Sequence, residues 1–151
     1  MATEQGKQVI QALVVEDNPM DVIMLRLALE QESTWPVRMT VVEDGEQAIF
    51  RLLDTNECKM DFIVLDLNLP RRDGVEVLKT IRRSPSLRRL PVAILSSSPE
   101  DVIQEKLTAA GVLADIQFTK SSHVDEFLTL GGVLRAWYEK HASTGAERFG
   151  I

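Results

Sequence analysis

Asp61-Phe-Ile-Val-Leu-Asp66-Leu-Asn-Leu-Pro70 holds the most apolar run of the chain and ends it on an acid. Strands buried on both faces of a parallel sheet read as continuous apolar runs, and open α/β sheets place their sites at the C-terminal strand ends. A carboxylate at such an end is costly unless something there uses it. Other apolar runs end in the same way. Val9 to Val15 ends in Glu16-Asp17, Pro91 to Leu95 in Ser96-Ser97-Ser98, and Ile116-Gln-Phe118 in Thr119-Lys120. Acids, hydroxyls and a lysine gathered at successive strand ends point to phosphoryl chemistry around a divalent cation.

Outward from Asp66, strand and helix patterns alternate, which favours a parallel sheet with helices on both faces. Strands are expected near Gln8–Val15, Val37–Val42, Phe62–Leu65, Val92–Leu95 and Asp115–Phe118. Asn18-Pro19 starts the first helix, as N-cap and first-turn proline, and it runs to about Glu32. Val22, Leu25, Leu29, Ile23 and Leu27 supply its apolar faces. The second helix lies near Glu46–Leu53, with Ala48, Ile49, Leu52 and Leu53 turned inward. The third opens at Asp73-Gly74, buries Val75, Leu78 and Ile81, and stops at Pro85. The fourth runs from Pro99-Glu100 to Gly111, and the fifth from Ser122 to about Lys140 with Gly131-Gly132 inside it. A close helix contact or a kink would each explain that glycine pair. Five βα units with right-handed crossovers give a flavodoxin-like (βα)5, doubly wound parallel sheet of order 2-1-3-4-5. Strands 1 and 3 are then neighbours, so Asp17 and Asp66 can share a cation.

The 151 residues suit one domain, expected over 8–141, with short flexible tails at 1–7 and 142–151 and no output domain. No apolar run is long enough to span a membrane and the first residues carry no signal core, so a cytoplasmic address is expected. The single cysteine, Cys58, excludes an internal disulfide and a multi-cysteine metal cage. A net charge of −6 argues against nucleic acid as a partner. Arg71, Arg72, Arg82, Arg83, Arg88 and Arg89 crowd one stretch, read first as a solvated face. His123 and His141 lie at no strand end.

Magnesium takes one or two carboxylates and completes its shell with water and phosphate oxygens. Asp17 and Asp66 suit direct ligation, with Glu16 acting directly or through water. Lys120 would place positive charge on phosphoryl oxygens, and the Ser96 hydroxyl would donate to one of them. Each residue also has an ordinary structural explanation: helix-dipole acids, a turn cap, N-cap serines, a solvated lysine. Their joint occurrence at strand ends favours the phosphoryl site.

These residues resemble the receiver domain of two-component response regulators. The matching pieces are Val14-Val-Glu16-Asp17-Asn18-Pro19, Leu65-Asp66-Leu-Asn-Leu-Pro70 with Asp73-Gly74, Pro91-Val-Ala-Ile-Leu-Ser96, and Phe118-Thr-Lys120. The resemblance implies that Asp66 accepts a phosphoryl group from a sensor histidine kinase. It implies that Glu16, Asp17, Asp66 and the Asn68 carbonyl hold Mg²⁺, that Ser96 and Lys120 engage the phosphoryl group, and that Asn68 and Ser98 tune dephosphorylation. The Val-Glu-Asp-Asn-Pro wording is similar to Rcp-type regulators paired with phytochrome kinases. Such a protein is a phosphoacceptor rather than an enzyme, and a histidine phosphotransfer protein or a second copy are further partners it implies. Trp137 and Tyr138 either support a homodimer or cover the sheet edge of their own chain.

Two positions depart from the family. Ser121 follows Lys120 where the family usually has proline, often through a cis bond. Gln117 stands where an aromatic switch residue is usual, and the nearest aromatic, Phe118, should point to the opposite sheet face. Two other readings compete. A haloacid-dehalogenase-like phosphohydrolase expects a second aspartate where Asn68 stands. An unphosphorylated scaffold expects losses among the acids, hydroxyl and lysine, and none is lost.

Overall fold

The computed structural model describes residues 9–31, 34–54, 56, 59–69 and 73–148. Cys58 and the Pro70-Arg71-Arg72 stretch lie outside them. The central strand, β3 (Phe62–Leu65), is buried at every residue. It pairs in parallel with β1 (Ile10–Val15) and β4 (Val92–Ser96), and β2 (Val37–Val42) and β5 (Ile116–Thr119) form the edges. The order is β2-β1-β3-β4-β5, as the crossover argument requires. Register is in step across the sheet: Val15 pairs with Leu65, Leu65 with Ile94, and Ile94 with Gln117. The residues after β1, β3 and β5 therefore emerge at one edge.

Alternate residues of each strand feed opposite cores. Leu13, Val15, Ile63, Leu65 and Ile94 meet α2 (Gly45–Leu53), α3 (Gly74–Arg83) and α4 (Glu100–Ala110) through Ala48, Leu78, Ile81 and Ile103. Ala12, Val14, Phe62, Val64 and Leu95 meet α1 (Pro19–Glu30), α5 (Val124–Leu128) and α6 (Leu130–Arg148) through Leu25, Leu29, Phe127 and Leu134. Each fully buried aliphatic or aromatic side chain contributes roughly 1.5–3 kcal/mol.

Local chemistry sets the helix starts. Asn18 Oδ1 accepts from the amides of Met20 and Asp21, Asp44 Oδ1 from Gln47 and Asp73 Oδ1 from Glu76. Gly111, at φ 70°, closes α4 in the left-handed conformation.

Several expectations need correction. The fifth helix is two helices: it starts at Val124, breaks at Thr129, and resumes to Arg148. At the break the Thr129 hydroxyl donates to the Glu126 carbonyl, 2.7 Å away. The first helix ends at Glu30. Leu53, Ile23 and Leu27 face solvent, because only one stripe of each helix meets the sheet. Val75 is half-buried, and Val77 takes the core position beside Leu78 and Ile81. Of the two alternatives for Trp137 and Tyr138, the packing fits contact with their own chain: Trp137 meets Phe62 edge-on at 5.9 Å, and the Tyr138 ring lies 5.1 Å from Phe62. Within the basic stretch Arg82 is structural, bonding the Leu90 and Leu113 carbonyls and Asp115, while Arg83, Arg88 and Arg89 are exposed.

Gly131 is explained by a close contact. A Cβ there would overlap the backbone carbonyl of Ala28, so α1 and α6 touch backbone to backbone. Alanine would gain helix propensity of about 1 kcal/mol but must push the helices apart. Gly131→Ala is expected to lower stability by about 2 kcal/mol net, read from denaturant midpoints.

Candidate acidic cleft at the strand ends

The ladder delivers the acids. The Glu16 amide bonds the Val42 carbonyl and the Asp66 amide bonds the Val15 carbonyl, which fixes both backbones as their strands run out. Both side chains are buried, while Asp17 beside them is exposed. One ligand oxygen from each of Glu16, Asp17 and Asp66 can lie within 4.8 Å of the other two. Gly74 shapes the cleft floor from below: a Cβ there would overlap the Asp66 carbonyl, so the start of α3 lies directly against the β3 exit.

Lys120 reaches into this cluster. Its Nζ lies 2.7 Å from Asp21 Oδ2, 2.8 Å from Glu16 Oε1 and 3.2 Å from Asp66 Oδ2. Its amide donates to the Ser96 carbonyl at 2.8 Å, which ties the β5 exit to β4. Among the described residues every peptide bond is trans, Lys120–Ser121 included. Ser121 makes a different use of its side chain, donating to Glu126 at 2.6 Å and accepting from the His123 amide.

The remaining expected residues surround the cluster. The Asn68 amide donates to Asp66 Oδ1 at 3.0 Å, and its exposed side chain lines an open cleft of about 810 Å³ with Asp17, Asp73, Val75 and Lys106. Ser96 is fully buried and its hydroxyl accepts from the Ser98 amide. Gln117 faces α4, where its amide nitrogen donates to Gln104 Oε1 at 2.9 Å and its own buried Oε1 has no partner among the described residues. Phe118 packs into the opposite core, as strand alternation requires. Sequence reasoning missed Asp21. Its signal was present, an acid one helical turn after Asp17 in the first turn of α1, but nothing local distinguishes it from an ordinary first-turn acid.

Burial pushes the Glu16 carboxyl up to about 7; the hydrogen bond from Lys120 opposes this and the Asp66 charge reinforces it. Burial acts to lower the Lys120 pKa, but its bonds to Asp21 and Glu16 outweigh that and raise it. The site is thus an ammonium among carboxylates, one of which is reluctant to ionise. A carboxyl with a raised folded pKa stabilises the fold below its unfolded value and loses that contribution as pH rises toward 7. A cation must displace the Glu16 proton below that pH. The thermal stabilisation by a divalent cation is therefore expected to grow between about pH 5 and pH 8, measured as the cation-induced shift in Tm.

An all-oxygen set of clustered carboxylates fits a hard divalent cation. Residues 12–130 match the model of the response regulator receiver domain.

The chain belongs to that family.

Response regulator Rcp1 of Synechocystis is 31% identical over 132 residues, covering 84% of this chain and 88% of that protein. The cell cycle response regulator CtrA of Brucella abortus is 34% identical over 121 residues, but the chain spans only 47% of it. Among solved structures, the phosphorylated cyanobacterial phytochrome response regulator RcpA matches at TM-score 0.76 and 32% identity, covering 85% of this chain and 94% of that one. The Mn²⁺-bound form of Rcp1 matches at TM-score 0.75 and 30% identity, covering 86% and 95%. This receiver is therefore a two-component signalling protein rather than an enzyme, related to phytochrome-associated regulators of the Rcp type. Among the described residues, no helix is long and apolar enough to cross a membrane.

Proposed function

We propose that this receiver accepts a phosphoryl group on Asp66 from a sensor histidine kinase of phytochrome type, with Mg²⁺ held by Glu16, Asp17, Asp66 and the Asn68 carbonyl. The observation that carries the reading is the Lys120 ammonium between two buried strand-end carboxylates, Glu16 and Asp66. A buried acid cluster with an ammonium at its centre is costly to keep for packing alone and marks a functional site. The likeness to RcpA, Rcp1 and the bacteriophytochrome response regulator AtBRR supports the kinase assignment.

An Asp66 carboxylate oxygen attacks the donor's phosphorus. The bond from phosphorus to the donor breaks, and its electron pair leaves with the donor. Lys120 and the Ser96 hydroxyl face the phosphoryl oxygens and carry part of their charge. A divalent cation held by Glu16, Asp17 and Asp66 would supply further positive charge there. Asn68, at the rim of the open cleft, and Ser98, tied to Ser96, govern how water reaches the acyl phosphate. Gln117 serves the readout better than Phe118, because it lies on the Ile94 side of the sheet and is bonded to α4. Output then passes by protein contact, with a histidine phosphotransfer protein or a second copy of the chain as the partners this reading accommodates.

The test is intact-mass measurement after incubation with phosphoramidate, with and without Mg²⁺. One added phosphoryl group, dependent on Mg²⁺, is the expected result. No addition under conditions that load a control receiver would contradict the reading.

A further inference from the structure

Lys120 holds more carboxylates than the phosphoacceptor reading requires. An ammonium has three N–H donors and accepts nothing. Glu16, Asp21 and Asp66 all lie within 3.2 Å of the Lys120 Nζ, and the shortest contact, 2.7 Å, goes to Asp21. Asp21 lies outside the carboxylate set suited to a cation and comes from α1, 99 positions before Lys120 in the chain. Its side chain is 20% exposed and that of Lys120 13%, so the pair is largely withdrawn from water.

We propose that Asp21 is a positioning residue that anchors Lys120 on the phosphoryl site while its other partners are drawn away. The inference rests on the phosphoacceptor reading. Glu16 is one of the cation's candidate ligands, and an oxygen that ligates a cation is a poorer partner for an ammonium. The contact to Asp66 is the longest of the three, and a phosphoryl group on Asp66 offers new oxygens in its place. Asp21 keeps its bond through both changes. Lysine carries its charge on a flexible four-carbon stem, and here that stem leaves the end of an edge strand. Among the described residues, Asp21 is the one partner of the Lys120 head that neither the cation nor the phosphoryl group claims. A mere dipole partner of α1 needs no lysine, and its removal would act independently of Lys120.

The test compares wild type, Asp21→Ala, Asp21→Glu, Lys120→Ala and the Asp21→Ala/Lys120→Ala double variant, each at saturating Mg²⁺ with phosphoramidate as donor. Asp21→Ala is expected to lower the maximal phosphorylation rate about tenfold, with little change in the half-saturating donor concentration. Asp21→Glu recovers part of the loss. In the Lys120→Ala background, Asp21→Ala costs nothing further. Additive losses overturn the inference, and so does a variant faster than wild type, which would make Asp21 a competitor for the ammonium. A second readout needs neither donor nor metal. NMR relaxation of the Lys120 ammonium nitrogen in a metal-free Glu16→Gln/Asp66→Asn background, where both other carboxylates are removed, should show an ordered group that becomes mobile when Asp21→Ala is added; unchanged order overturns the anchor. Failure of wild type to take up phosphate would instead strike the phosphoacceptor reading, and the NMR comparison would still decide whether Asp21 holds Lys120.

Discussion

Asp66→Asn is expected to take up no phosphoryl group from any donor. The amide keeps the size of the carboxylate, and its oxygen can still accept from the Asn68 amide, but its nitrogen cannot accept from Lys120 as Asp66 Oδ2 does. It lacks the charge and the nucleophilic oxygen pair, so no acyl phosphate forms. The substitution also removes one of the three clustered carboxylates, and cation-induced thermal stabilisation should weaken with it. A third consequence falls on Glu16. The Asp66 charge is one of the causes that raise its pKa, so the Glu16 titration should move down toward the ordinary carboxylate range. Burial persists as the larger cause, so the return is partial. Mass spectrometry reads the first effect, metal titration of Tm the second, and carboxyl NMR the third. Full phosphorylation of this variant would remove Asp66 from the role of acceptor.

Gly74→Ala is expected to be the most damaging single-methyl change near the site. A Cβ at Gly74 meets the Asp66 carbonyl and the Leu67 backbone, which are main-chain atoms and cannot rotate aside. The Gly74 amide also donates to the Leu67 carbonyl at 2.9 Å, so the same few atoms are pinned from both directions. Relief requires α3 to move off the β3 exit or the exit itself to shift. Overpacking of this kind costs about 1–3 kcal/mol, and a backbone obstacle belongs at the upper end. The loss should appear as a lowered denaturant midpoint. A functional loss should accompany it, because the displaced segment carries Asp66 and Asn68. Mg²⁺ should therefore stabilise the variant less than wild type even under conditions where both are folded.

Much of this was legible in the residues, for identifiable reasons. The bounds of β3 were readable because a buried strand leaves a short apolar run between turn residues, and those of β2, a partly buried edge strand, because Trp35-Pro36 precedes it and Asp44-Gly45 follows it. Asn18 and Asp73 announced their helices through cap chemistry that depends only on neighbouring residues. Glu16, Asp17, Asp66 and Lys120 were legible because strand order brings strand ends together. What escaped depends on distant partners. The Gly131 contact is with a carbonyl of α1, and no periodicity within α6 encodes it. The break at Thr129 rests on one hydroxyl turned to its own backbone. Ile23 and Leu27 looked like core because they are apolar, yet α1 meets the sheet through Leu25, Ala28 and Leu29. Asp21 looked like an ordinary first-turn acid until the fold set Lys120 against it.

The most direct measurement of the central claim is reductive trapping. Protein phosphorylated in the presence of Mg²⁺ is treated with borohydride, which converts an aspartyl phosphate to homoserine, and peptides are then sequenced by mass spectrometry. Homoserine is expected at position 66 and at no other aspartate. Homoserine at Asp17 or Asp21, or phosphate retained on His123 or His141, would contradict it.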